Sequence, residues 1–175
     1  MSKFVLIDGH SILNRAFYGV PIFTNSEGLH TNAVFGFLNI MFKIIDSKQP
    51  DYMAVAFDVH QPTFRHEMFK DYKGTRKPMM EELREQVPVI KELLQKMNIT
   101  TVELPGYEAD DVIGTLSKKG EKAGMEVDVI SGDRDLLQLA SDHITICIPK
   151  TKKGQTTVEE YNTEGVMKLY KVTPT

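Results

Sequence analysis

The sequence predicts a single α/β domain: a mostly parallel central sheet with helices on both faces. Three observations carry this. Three short apolar runs read as buried parallel strands: "KFVLID" (3–8) and "YMAVAFD" (52–58), each ending in an acid, and "EVDVIS" (126–131), followed by "GDRD". Longer segments with helical periodicity separate them. At 175 residues, 41% hydrophobic and 26% charged, the chain suits one domain with a real core.

In chain order, "KFVLID" is the first strand. "TNAVFGFLNIMFKIIDSK" is a helix with Thr31 as its expected cap. "YMAVAFD" is the next strand, and "MMEELREQVPVIKELLQKM" a helix that Pro88 either kinks or opens. "ITTVEL" and "HITICI" are weaker strands on either side of "ADDVIGTLSKKGEKAG", a helix closed by Gly124, and of "EVDVIS". "PKTKKGQTT" (149–157) reads as an exposed hairpin or loop, and "GVMKLYKVTPT" begins as a short helix. Strands alternating with helices make an open sheet with right-handed crossovers.

Some classes are excluded early. No apolar run reaches bilayer length, and "MSKFVLIDGH" meets an acid too soon for a signal-peptide core, so a cytoplasmic protein is expected. The one cysteine, Cys147, lies in a strand pattern and is expected to be a buried thiol. With five histidines, none at ligand spacing, zinc is disfavoured.

The acids are unevenly placed. Asp8 and Asp58 end strands, Glu108, Asp110 and Asp111 open a helix, and Asp133 and Asp135 follow a strand in "SGDRD". Ligands of open α/β sheets bind beyond the carboxyl ends of the strands, where all seven are expected to project. Singly, each also reads as a cap, a turn residue or a first-turn acid. Jointly they read as oxygen ligands for one or two Mg²⁺ or Mn²⁺ ions, because unneutralised carboxylates would repel one another. A pair of such ions is a recurring device for phosphodiester hydrolysis.

A basic strip lies on this acidic chain. Residues 63–77, "TFRHEMFKDYKGTRK", hold Arg65, Lys70, Lys73, Arg76 and Lys77 against Glu67 and Asp71, a charge of +3, which leaves −6 for the rest of a chain at −3. If helical, the segment puts Lys73 and Arg76 on one face, able to clamp a phosphate. Tyr72 could stack on a base. The bland alternative is a solvated helix end.

"VLIDGHSILNRAFY", "AVAFDVHQPTFRHEMFKDYKGTRK", "PGYEADDVIGTL" and "ISGDRDLLQL" together closely resemble the N-terminal 5′-nuclease domain of bacterial DNA polymerase I, of the flap endonuclease group with a PIN-like fold. The resemblance implies a metal-dependent 5′-3′ exonuclease or 5′-flap endonuclease using two Mg²⁺ or Mn²⁺ ions, acting on DNA at the nucleoid. It assigns Asp8, Asp58, Glu108 and Asp110 to the first metal, Asp111 to a place between the two, and Asp133 and Asp135 to the second. Lys73 and Arg76 match a basic pair of the arch over the active site and Tyr72 an arch aromatic. Lys70, Lys77, Arg65 and Arg15 join these as expected DNA contacts, and Thr31 and Asn32 fall in substrate-contacting stretches. The family pattern continues beyond "KLYKVTPT" with further acidic ligands and a helix-hairpin-helix element. Residues 1–175 are therefore expected to be a truncated 5′-nuclease domain, with a polymerase module in the full-length chain. The rival readings are an inert or weakly DNA-binding fragment and a PIN-like ribonuclease. A phosphatase-type site is disfavoured, since "GHS" after Asp8 supplies no second acid two positions on.

Overall fold

The computed structural model describes residues 1–152 and 155–174. It holds strands β1 (Lys3–Asp8), β2 (Tyr52–Ala56), β3 (Thr100–Val102), β4 (Glu126–Ile130), β5 (Ile144–Lys152) and β6 (Gln155–Tyr161). The helices are α1 (Gly9–Gly19), α2 (Asn32–Lys48), α3 (Phe64–Met68), α4 (Glu81–Arg84), α5 (Gln86–Lys96), α6 (Ala109–Lys122) and α7 (Thr163–Tyr170), with a 3₁₀ turn at Arg134–Leu139. One sheet runs in the order β3-β2-β1-β4-β5-β6. All neighbours are parallel except β5 and β6, which pair antiparallel down to Lys152 and Gln155. The expected exposed hairpin at 149–157 is thus mostly strand, and its tip, residues 153 and 154, lies outside the described residues.

β1 alternates its buried side chains between two cores. Val5 and Ile7 join α1, α2, α5 and Phe57 on one face, while Leu6 joins α6, Val127, Val129 and the 3₁₀ turn on the other. A strand covered on both sides has no polar face, which is why "FVLI" shows no period of two. The chain runs from β1 outward to β2 and β3, then returns to set β4 on β1's other side. The strand order therefore reverses between β1 and β4, and the carboxyl ends there flank a crevice.

Several helices differ from the sequence expectation. α1 follows β1 with no loop and was hidden behind "GHS", which looks like turn chemistry. The expected helix over 79–97 is two helices that meet at Glu85. Pro88 can neither donate to the Arg84 carbonyl nor fit its ring beside it, so the first piece stops there. Thr31 stands at the N-cap of α2 without a side-chain capping bond. Its role passes to Gln86 of α5, whose Oε1 accepts from the amides of Ala33 (2.8 Å) and Val34 (3.1 Å). α2 lies close against α1, for a Cβ on Gly36 would come within 2.8 Å of the Ala16 methyl.

Candidate metal and phosphate site

Asp8 is the last residue of β1 and only 4% exposed. Its Oδ1 accepts from the Ser11 amide in the first turn of α1 (3.3 Å), and its Oδ2 from the Ser131 hydroxyl (2.8 Å). Gly9 is needed beside it, since a Cβ there would strike the Phe57 ring at 2.5 Å. Burial, with added repulsion from Asp110 and Asp58, pushes the Asp8 carboxyl up to about 7 against the pull of its two hydrogen bonds.

Asp58 lies two positions past β2. Its Oδ1 accepts from the Ala109 amide at 2.7 Å, occupying one of the free N–H groups at the start of α6. Its own amide donates to His10 Nδ1 at 3.1 Å. His10 packs edge-on against Phe57, and burial lowers its pKa.

Ala109, Val112 and Ile113 bury one side of α6 and so fix its rotation. Adjacent acids on a helix point about 100° apart. Asp110 accordingly faces the crevice, where burial and then Asp133, Asp58 and Glu108 raise it to about 6. Asp111 faces away, held by both Arg65 nitrogens at 2.7 and 2.8 Å, and this guanidinium keeps it below the usual carboxylate range. Glu108, just before α6, takes bonds from Arg65 (3.2 Å), the Tyr72 hydroxyl (3.3 Å) and Lys73. Asp133 caps the 3₁₀ turn, accepting from the Asp135 amide at 2.9 Å.

These groups line two neighbouring cavities. The first, about 620 Å³, gathers Asp8, Asp58, Glu108, Asp110 and Asp133 together with Lys73, Arg76 and Lys77. Asp111, Asp135, Arg65 and Tyr72 instead line the second, about 940 Å³, which shares Glu108 and Asp110 as a wall. Five of the seven expected ligands thus meet in one cavity and two stand behind it. The segment carrying Lys73 and Arg76 is a run of turns with Lys73 at φ 57°, so the expected helical face is absent, yet both side chains reach the cavity. Lys70 is exposed and lines neither cavity. Arg15 lines a smaller recess beside Gly132 and Ser11.

Asn32 is a correction. It is fully buried, and its amide is spent on the Phe17 and Val20 carbonyls and on Gln86, so it supports the fold and is closed to substrate. Sequence reasoning passed over His10, Ser11, Ser131 and Tyr18. The adjacency of "DGHS" to Asp8 and of "SGD" to Asp133 was the available signal for the first three. Tyr18, 67% exposed, lines the cavity's edge one helical turn past Asn14.

An all-oxygen donor set in which burial and repulsion hold two acids above their ordinary range suits a hard divalent cation, which would relieve that repulsion. Among the described residues, the one tight trio of potential ligands lies elsewhere: Asp128, Cys147 and Glu160, within 4.8 Å of one another. Lys48 already pairs with both acids of that trio. Cys147 is the expected buried thiol, pushed up to about 12 by burial and the Asp128 charge.

The family described as "5'-3' exonuclease, N-terminal resolvase-like domain" matches residues 3–171. DNA polymerase I of Bacillus caldotenax is 52% identical over 172 residues, 98% of this chain and 19% of that protein. The Bacillus subtilis DNA polymerase I is 51% identical over the same share of each. The chain thus spans about a fifth of the length of these relatives. Among solved structures, the zinc-bound T5 5′-exonuclease superposes with a TM-score of 0.73 at 23% identity, covering 97% of this chain and 61% of that one. The catalytic core of Rad2 with DNA gives 0.53 at 17%, over 99% and 51%. These two carry the fold alone, and it is the PIN-like fold that the resemblance implied. The chain belongs to the family of 5′-3′ exonuclease N-terminal resolvase-like domains.

Proposed function

We propose that this chain is the 5′-nuclease part of a DNA polymerase I, hydrolysing phosphodiester bonds at a DNA 5′ end or 5′ flap in the cytoplasm, beside the nucleoid. One observation carries the reading: five carboxylates line a single cavity together with Lys73, Arg76 and Lys77 at the sheet's carboxyl edge. Asp8, Asp58, Glu108, Asp110 and Asp133 would hold Mg²⁺ or Mn²⁺, two ions in the complete domain. When bound, such ions acidify water and offset charge on the phosphate.

The protein's own groups do the rest. Arg76 and Lys77 make no ion pair among the described residues and are free to take phosphate oxygens. Lys73 exchanges Glu108 for the scissile phosphate, moving positive charge to where negative charge develops. Arg65 stays with Asp111 and Glu108, stiffening the wall between the cavities. Asp135 lines the second cavity.

Cleavage of a 5′-labelled flap by this chain in Mg²⁺, Mn²⁺ or EDTA is the test. Release of short 5′ products that needs the metal and falls at least ~10²-fold in Asp110→Ala is expected. Equal cleavage by Asp110→Ala would refute the assignment. A silent chain that becomes active when extended at its C-terminus would mean the site is incomplete within these residues.

A further inference from the structure

We infer that Ser131 and Ser11 form a clasp across the reversal of strand order between β1 and β4, and that Ser131 is the positioning residue setting Asp8 against Asp133. Ser131 is fully buried just past β4. Its hydroxyl donates to Asp8 Oδ2 at 2.8 Å and accepts from the Asp133 amide at 3.0 Å. One oxygen therefore touches an acid of the first strand and the backbone of an acid after the fourth. Ser11 closes the other side, its hydroxyl accepting from the Gly132 amide at 2.8 Å while its amide donates to Asp8 Oδ1 at 3.3 Å.

The same bonds are poor candidates for generic fold support. β1 and β4 already pair from Lys3–Glu126 to Ile7–Ile130, and the Ser131 amide is tied to the Cys147 carbonyl at 3.1 Å. What remains unfixed by the sheet is the loop Gly132–Asp133 and the torsion of the Asp8 carboxylate. The serines bind those two things. Groups that hold ligands by their outer atoms typically change metal affinity 10–100-fold when removed.

This rests on the metal reading above, so the test has an arm that does not need metal. In EDTA, amide hydrogen exchange of Gly132 and Asp133 should be protected in the parent and at least about tenfold faster in Ser131→Ala, with the β4 amides unchanged. Unchanged loop exchange would overturn the clasp. In the second arm, Mn²⁺ titration at pH 7.5 should show Ser131→Ala binding about tenfold or more weakly. Ser117→Ala should bind as the parent does, because that fully buried serine bonds only the Gly114 carbonyl of its own helix. Parent-like Mn²⁺ affinity in Ser131→Ala would overturn the positioning role. If Ser131→Ala does not fold, Ser11→Ala stands in, with faster Gly132 exchange and weaker Mn²⁺ binding expected and parent-like values for both overturning the proposal. A parent that binds no Mn²⁺, with the exchange arm as expected, would refute the metal reading and leave the clasp standing.

Discussion

At Asp8 the protein holds a carboxylate almost out of water, beside two more acids, with only two hydrogen bonds in return. A carboxyl moved from its ordinary 3.8 to about 7 costs on the order of 4 kcal/mol when ionised. Asp8→Asn should therefore stabilise the metal-free protein at pH 8 by about 2–4 kcal/mol, raising Tm by roughly 5–10 °C in a thermal melt. Flap cleavage should vanish in the same variant. Arg76 tests the opposite charge: Arg76→Ala should weaken DNA binding and lower the slope of log affinity against log salt by about 1, read from fluorescence anisotropy. The residue types of both groups were legible in the sequence, as was the position of Asp8, Asp58, Asp133 and Asp135 at or after strands. Their division was not, because "DD" at 110–111 does not say which acid faces the crevice until the buried side of α6 fixes its rotation.

Among the elements, the start of α2 illustrates how a helix end is completed from elsewhere. The Gln86 side chain, itself fully buried, caps Ala33 and Val34 and donates to Asn32 Oδ1 (3.0 Å) and the Glu82 carbonyl (2.8 Å). Three of these four bonds join α2 to the α4–α5 break. Gln86→Ala would leave buried amides and an amide oxygen unpaired, so a loss of about 2–4 kcal/mol is expected from urea unfolding. Gln86→Glu, keeping the acceptor but burying charge, should not recover it. Local signals located α2, α6 and the main strands, because their periodicity and buried runs are intrinsic to each segment. They missed this cap and the whole of α1, since partners 52 and 53 residues away leave no local mark and "GHS" mimics a turn.

For the whole molecule, charge and fold are set against each other at the crevice. Asp8 and Asp110 keep their protons to about 7 and about 6, while the unfolded chain releases them near 3.8. The folded state thus binds more protons across that window, and the contribution of these two groups is complete below about pH 4 and lost as pH rises through 6 to 7. In EDTA, stability should fall over this range. Mn²⁺ should reverse the fall, adding about 2.7 kcal/mol at a hundredfold excess over its dissociation constant, and its apparent affinity should rise from pH 6 to 7.5. The architecture behind this was legible: alternating strands and helices gave the layers, and acids after strands gave the functional edge. The reversal point between β1 and β4 was not, because strand order depends on crossovers whose direction no local segment records. The buried acids also bear on how such a protein changes under selection. A screen that rewards heat resistance alone, run in chelator, would enrich neutral residues at Asp8 and Asp110 and return robust proteins stripped of the carboxylates proposed to hold metal.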